Sequence, residues 1–132
     1  MNTYSHTSAK RLATCCPELV DTFGAVLEII DHTIIEGTRT ALIQNEYFRT
    51  GRSKLEWPDS SHNSSPSLAV DAAPYPIDWN DSKRFYYFAG AVKSIGWTLG
   101  HRIRWGGDWD GDNDFNDQTF MDLVHFEYRG SV

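Results

Sequence analysis

The chain has 132 residues, a length that fits one domain burying roughly two-thirds of its unfolded surface. An apolar content of 40% with 14% aromatics excludes a disordered chain, and a net charge of −6 argues against a nucleic-acid-binding protein. No stretch approaches the ~20 apolar residues of a membrane helix, and no signal peptide is evident. The adjacent Cys15 and Cys16 predict free thiols in a reducing compartment. We therefore expect one domain, residues 1–132, made in the cytoplasm without stable membrane association.

The N-terminal half predicts helices separated by one short strand. Apolar residues recur at three- and four-residue spacings within residues 8–31, which predicts a helix interrupted at Pro17. Residues 33–36 have the composition of a strand. Residues 41–50 then predict a second helix that ends before a glycine.

The C-terminal half adds a long helix and three short strands. A polar loop rich in Ser, Asn, Asp and Pro covers residues 51–67 and precedes a predicted strand at 68–71. Residues 81–99 predict a helix, and residues 101–105 and 124–128 alternate as strands do. The layout predicts an α+β fold, in which a small antiparallel sheet is flanked by helices.

Two histidines and two aspartates are the candidate functional residues. His62 lies in the polar loop, Asp71 follows nine residues later, and Asp122 precedes His125 by three. Taken singly, each has a structural alternative: a loop histidine, a core histidine, a turn or a helix cap. Together, two imidazoles and one carboxylate match the three ligands of a catalytic zinc site, and the other carboxylate suits a general acid/base. The sequence therefore predicts a small zinc hydrolase.

Arg39 follows the first predicted strand closely and is a candidate electrostatic group. A guanidinium there could stabilise a developing oxyanion or bind a substrate carboxylate. The alternative is an ordinary surface salt bridge.

An acidic loop places carboxylates at alternate positions from Asp108 to Asp114, as calcium-binding loops do. An EF-hand loop has glycine at its sixth position and glutamate at its twelfth. Counting from Asp108, those positions hold Asn113 and Thr119, so the match is incomplete. A solvated acidic turn is the favoured interpretation, and a Ca²⁺ site is the alternative.

The ordered motifs resemble the zinc D-alanyl-D-alanine carboxypeptidase and L-alanyl-D-glutamate endopeptidase (LAS) family, particularly its single-domain bacteriophage endolysins. The resemblance covers about residues 17–128 and rests on Glu36-Gly37-Thr38-Arg39-Thr40, Gly51-Arg52-Ser53-Lys54, Ser60-Ser61-His62-Asn63, Pro66-Ser67-Leu68-Ala69-Val70-Asp71, Pro74-Tyr75-Pro76-Ile77-Asp78-Trp79, Arg104-Trp105-Gly106-Gly107-Asp108-Trp109 and Asp122-Leu123-Val124-His125-Phe126-Glu127. Many members have a spacing of seven between the histidine and the first aspartate, where this chain has nine. We interpret the difference as a longer connecting loop.

The resemblance implies a LAS-type zinc peptidase fold with one catalytic Zn²⁺. It implies the following roles: zinc ligands His62, Asp71 and His125; acid/base Asp122; electrostatic group Arg39; and, with less specificity, substrate-groove residues Gln44, Ser53 and Ser60.

The resemblance also implies hydrolysis of peptidoglycan stem peptides, with the L-alanyl-D-glutamate bond as the favoured target. The alternatives are a D-alanyl-D-alanine carboxypeptidase, which the lack of an export signal disfavours, and a non-catalytic zinc domain that binds wall peptides, which Asp122 disfavours. A chain of this length resembles the single-domain endolysins of phages that infect Gram-negative hosts, and we expect it to be a monomer. Such an enzyme would be made in the host cytoplasm, act in the periplasm and need a holin-type permeabilising partner.

Overall fold

The computed structural model describes all 132 residues, which form four α-helices, four β-strands and one short 3₁₀ turn. The helices are α1 (His6–Leu12), α2 (Pro17–Leu27), α3 (Ala41–Arg49) and α4 (Ser82–Thr98). The strands are β1 (His32–Glu36), β2 (Ala69–Pro74), β3 (His101–Gly106) and β4 (Asp122–Ser131), and the 3₁₀ turn covers Ser61–Asn63. The predicted interruption of the first helix is confirmed: Pro17 starts α2, because proline has no N–H to donate and suits the first helical turn.

The strands form one sheet in the order β1-β2-β4-β3, and all neighbouring pairs are antiparallel. The predicted α+β fold with a small antiparallel sheet is therefore confirmed. β2 is longer than the predicted strand and continues to Pro74, so Asp71 lies inside the strand instead of at its end. Asp71 is consequently fixed by ladder pairing on both sides.

The sheet has one apolar face and one polar face, because successive side chains of a strand point to opposite sides. Val70, Ile103 and Phe126 belong to the hydrophobic core, where helices α2 and α4 supply Phe23 and Phe88. The intervening strand residues point the other way and carry most of the candidate functional groups. The core thus holds the backbone of the site rigidly from behind.

Candidate metal centre and catalytic cleft

The centre of the polar face is the pairing of Asp71 on β2 with His125 on β4. These two residues are direct partners in the antiparallel ladder, and such partners have Cβ atoms about 4.5–5.5 Å apart. The Oδ1 atom of Asp71 lies 3.4 Å from Nδ1 of His125. Strand register alone therefore brings two of the predicted ligands together.

His62 is brought to the same point by the 3₁₀ turn. The side chain of Ser60 accepts a hydrogen bond from the backbone N–H of His62, and the Asn63 side chain accepts one from the backbone of Ser60, so the turn is capped at its start. The Nδ1 atom of His62 donates to the carbonyl oxygen of Gly37 at 2.7 Å, and Nε2 lies 3.2 Å from Oδ1 of Asp71. His62 is 1% exposed, and these two contacts hold its ring in place.

The three groups fit a zinc ion. Zinc bonds of about 2.0–2.2 Å in a tetrahedral site place neighbouring ligand atoms about 3.3 Å apart. Asp71 Oδ1 lies 3.2 Å from His62 and 3.4 Å from His125, and the ligand atoms of all three residues lie within 4.8 Å of one another. Two imidazoles and a carboxylate are also the donor types that zinc prefers.

Each imidazole has its other nitrogen held by a separate acceptor. The carbonyl of Gly37 takes the hydrogen of His62 Nδ1, and Oε1 of Glu127 lies 2.8 Å from His125 Nε2. These contacts leave His62 Nε2 and His125 Nδ1 with lone pairs directed to the centre, which is the arrangement that metal-binding histidines show. Sequence reasoning assigned no role to Glu127; its i, i+2 spacing from His125 in a strand is the signal that places both on one face.

The carboxylates make His125 basic in the metal-free protein. Burial lowers the pKa of His125, but its hydrogen bonds to Asp71 and Glu127 outweigh burial and raise that pKa to about 9. Burial likewise raises the pKa of Asp71, yet the two histidines hold it well below its ordinary value. The pKa of Glu127 falls to about 2 for the corresponding reason, since His125 and Arg104 outweigh its burial. The centre is therefore a negatively charged cage for a cation.

Asp122 begins β4 and lies on the cleft wall with both histidines. Burial, followed by the negative charge of Asp71, raises its pKa above the ordinary aspartate value. Its backbone is opposite Gly106, where an added Cβ would stand 2.1 Å from the Asp122 carbonyl oxygen. A glycine at 106 is thus required for Asp122 to reach this position.

Arg39 lies beside the metal centre and is held on several sides. Its Nε donates to Glu36 at 2.8 Å, one terminal nitrogen donates to Gln44 at 2.9 Å, and the other lies 3.9 Å from Asp71 Oδ2. Its backbone N–H donates to the carbonyl of His62 at 2.8 Å. Arg39 does form an ion pair with Glu36, but it is 8% exposed, so the alternative interpretation is wrong only in placing that ion pair at the surface.

The residues expected to line the substrate groove divide into two groups. Ser53 and Ser60 lie on the cleft wall. Gln44 does not: it is 0% exposed, accepts from Arg39 and Asn63, and donates to Ser53 at 3.0 Å. The prediction that Gln44 lines the groove is therefore wrong. Its amide makes all its hydrogen bonds inside the protein and holds Arg39 in position.

The cleft in front of these groups has a volume of about 420 Å³ and is lined by 16 residues. Trp109 forms part of its wall, and its ring lies 5.3 Å from that of His125. The polar loop contributes Arg52, Ser53 and Lys54 to the same wall, and Lys54 lies over the ring of Phe120, which stacks on Trp109. The cleft that leads to the metal centre therefore combines aromatic and polar side chains.

The acidic loop is a second candidate cation site. The carboxylates of Asp108, Asp110 and Asp112 have oxygens within 4.8 Å of one another. Asp108 is 0% exposed, so the expectation of a wholly solvated turn is wrong for this residue. Its Oδ2 accepts from the backbone of Asn113 at 2.9 Å and lies 3.7 Å from Lys93, but its buried Oδ1 has no hydrogen-bond partner.

The chain matches the family model described as phage L-alanyl-D-glutamate peptidase over residues 1–128. It belongs to this family of peptidases. It is 35% identical over 120 residues to the L-alanyl-D-glutamate peptidase of Escherichia phage T5, with 87% of each chain covered. The fold also matches the crystal structure of the Serratia marcescens L-Ala D-Glu endopeptidase ChiX, with a TM-score of 0.78, 25% identity, and coverage of 96% of this chain and 89% of that one. The resemblance found in the sequence is thereby confirmed, and so is the LAS-type fold. None of the helices has the length and hydropathy to cross a membrane.

Proposed function

We propose that this peptidase is a zinc enzyme that hydrolyses peptidoglycan stem peptides at the L-alanyl-D-glutamate bond. The observation that carries the proposal is the convergence of His62, Asp71 and His125, with both outer imidazole nitrogens already bonded elsewhere, at the base of a peptide-sized cleft. The specific bond is supported by the two relatives, both of which are L-alanyl-D-glutamate peptidases.

His62, Asp71 and His125 would hold the zinc ion. When bound, zinc lowers the pKa of a coordinated water to about 7 and polarises a carbonyl group. The Gly37 carbonyl and the Glu127 carboxylate keep the two imidazole rings in the orientation that ligation requires. The hydrophobic core packs behind the strands that carry Asp71 and His125.

Asp122 would serve as the general base and then as the general acid. Its raised pKa allows the carboxylate to take a proton from the attacking water and to return it to the leaving amine of D-glutamate. Protonation of that amine is needed because an amide anion is a poor leaving group. Arg39 would stabilise the negative charge that develops on the scissile carbonyl oxygen, since its guanidinium is fixed beside Asp71.

The test is digestion of purified peptidoglycan by the zinc-loaded protein, with and without a chelator. New amino termini are identified by mass spectrometry. Release of D-glutamate amino termini that stops with the chelator and returns with zinc is the expected result. Free D-alanine alone would instead identify a D-alanyl-D-alanine carboxypeptidase, and bound zinc without any product would identify a non-catalytic domain.

We further propose that the enzyme is a monomer made in the host cytoplasm that reaches the periplasmic wall after a permeabilising partner opens the inner membrane. This proposal follows from its family, whose members include a phage enzyme. Expression of the chain in Escherichia coli, with and without a holin, tests it: lysis should require the holin.

The acidic loop supports a separate proposal that it binds Ca²⁺. The supporting observation is that Asp108 belongs to this cluster and has a buried Oδ1 without a hydrogen-bond partner, whereas the other two residues are exposed. Oxygen ligands of this kind suit calcium. Calcium should raise the thermal midpoint of the wild type but not that of an Asp112→Asn variant. A midpoint and an activity that stay constant up to millimolar calcium would remove the idea.

A further inference from the structure

The catalytic cleft has a charge opposite to that of the chain as a whole. Five cationic side chains line it against three acidic ones, whereas acidic residues outnumber basic ones by 18 to 12 in the full sequence. The cationic side chains of the cleft are Arg39, Arg52, Lys54, Arg104 and Arg129. A concentration of positive charge in the cleft of an acidic protein indicates an anionic ligand.

Two of these cations share a single carboxylate. Arg104 donates to Oε2 of Glu127 at 2.8 Å, and Arg129 donates to the same oxygen at 3.1 Å. The other oxygen of Glu127 already accepts from His125. One carboxylate therefore faces two guanidinium groups, which leaves positive charge and N–H donors of the arginines unmatched at the edge of the metal centre.

The geometry of Arg104 indicates where a further acceptor would be bound. Its side chain is 32% exposed, and its guanidinium lies 5.3 Å from the ring centre of Trp109 on the cleft wall. Arg129 is half-exposed, so its guanidinium is open to the cleft. A planar carboxylate is the group that guanidinium forks bind best, through paired charge-assisted hydrogen bonds.

This cationic pair also connects the catalytic cleft to a second cavity. Arg104, Trp109 and Arg129 line both spaces, and the second has a volume of about 520 Å³. Lys93 and Arg102 also line it, together with Asp108 and Asp110 of the acidic loop. The pair thus borders both the catalytic cleft and the second cavity.

We propose that Arg104 and Arg129 form a carboxylate-binding subsite for the leaving-group half of the substrate. The inference rests on the proposed function. In a stem peptide, D-glutamate is joined to the next residue through its γ-carboxyl group, so its α-carboxylate stays free next to the scissile bond. The acidic groups of the peptide all lie on this side of the bond. Binding there fixes which end of the peptide enters which cavity.

The experiment compares two synthetic stem peptides, one with the free α-carboxylate of D-glutamate and one in which that group is a carboxamide. Zinc-loaded wild type should cleave the free acid with a kcat/KM about 10- to 100-fold higher, mostly through KM, because the amide loses a charge-assisted hydrogen bond. Arg129→Gln should lose that preference and cleave the two peptides alike. Arg129→Lys should recover part of it.

Two controls separate substrate binding from a structural role. Arg49→Gln removes one positive charge from an exposed ion pair with Glu46, outside both cavities, and should keep the wild-type preference. If Arg129 only held Glu127 in place, Arg129→Gln would weaken zinc binding and reduce kcat on both peptides equally. That result, or equal cleavage of the two peptides by the wild type, would overturn the subsite.

Failure of the proposed function gives a different result. Binding of both peptides is therefore also measured by calorimetry, in zinc-loaded Asp122→Asn and in Asp122→Asn/Arg129→Gln. If neither peptide is hydrolysed by the wild type but the free acid binds more tightly in an Arg129-dependent way, the subsite stands and the activity does not. If the free acid is hydrolysed, but the two peptides bind with equal affinity whether or not Arg129 is present, the activity stands and the subsite is wrong.

Discussion

Two histidines are buried on the same sheet in contrasting surroundings. His32 on β1 is 3% exposed and His125 on β4 is 8% exposed. His32 lies among aromatic rings, with Nδ1 2.8 Å from the carbonyl of Ile30 and Nε2 2.6 Å from the hydroxyl of Tyr4. His125 faces the carboxylates of Asp71 and Glu127. Burial alone therefore does not identify a ligand.

The two environments shift proton affinity in opposite directions. Burial lowers the pKa of His32, and the hydrogen bond to the Ile30 carbonyl and the charge of Asp31 offset this only in part. The carboxylates around His125 raise its pKa to about 9 in spite of burial. The same anions that attract a proton to His125 attract a metal ion, whereas both nitrogens of His32 are already occupied. The following predictions test this distinction.

The largest expected difference is in zinc binding by the two alanine variants. His125→Ala should lose its bound zinc, because one of the three ligands is gone, and its activity should fall to background. Its stability should fall as well, since metal binding stabilises the fold. His32→Ala should keep one zinc per chain while losing about 1–3 kcal/mol of stability, since its hydrogen-bond partners are left buried. Elemental analysis of the folded proteins measures both. Stoichiometric zinc in His125→Ala would show that the ligand set is wrong.

The next effect separates metal binding from proton transfer. Asp122→Asn should keep zinc but reduce turnover by about 10²- to 10⁴-fold, the usual contribution of a general acid/base. Asp21→Asn is the matched control, because Asp21 lies on α2 near His101 and away from the cleft. Kinetics on a stem peptide measure both variants. Full activity in Asp122→Asn would require another base.

A smaller effect is expected when only the orientation of His125 is disturbed. Glu127→Gln keeps the shape of the side chain but removes the charge that faces His125 Nε2. Zinc affinity should fall about 10- to 100-fold, as it does when the outer partner of a metal-binding histidine is lost. Competition with a chelator of known affinity measures the change. An unchanged affinity would mean that Glu127 serves only to hold Arg104 and Arg129.

The last effects concern the pH dependence of stability in the chelator-treated protein. The pKa of His32 lies below that of the unfolded chain, about 6.5, so its stabilisation is present above pH 6.5 and lost as the pH falls. The pKa of His125 is raised to about 9, so its stabilisation is complete below pH 6.5 and lost as the pH rises through 9. Each contributes at most about 1.4 kcal/mol per pH unit.

Urea unfolding between pH 5 and pH 10 tests the opposite signs. The difference in unfolding free energy between wild type and His32→Gln should shrink at low pH, and that between wild type and His125→Gln should shrink at high pH. Parallel curves for the two variants would contradict the contrast between the two environments.

Much of the fold could be predicted from the sequence because its signals are local. The apolar spacing of α2 and α4 reports which face is buried, and Pro17 marks a helix start. The ends of β2 could not be predicted in this way, since its last residues are paired to β1, and pairing depends on a partner distant in the sequence. Strand length is therefore a property of the sheet and not of the segment.

The candidate site shows the same division. The sequence patterns and the family resemblance together selected His62, Asp71, His125 and Asp122 for one site, and the fold brings them into one cleft; their roles remain predictions. The buried location of Gln44 was missed, because a polar residue in a weakly amphipathic helix gives no sign that its amide is enclosed. Such contacts arise only when α3 and the polar loop pack together.

The short helix α1 has a consequence for engineering that follows from Gly37. A Cβ at this position would lie 2.5 Å from the carbonyl oxygen of Arg11 in α1, so the N-terminal segment packs directly on the residue whose own carbonyl orients His62. A fusion or truncation that loosens α1 would therefore disturb the metal centre, because Gly37 contacts both α1 and His62. A fusion at the C-terminal side of β4, where Val132 is exposed, would leave the contact between α1 and Gly37 undisturbed.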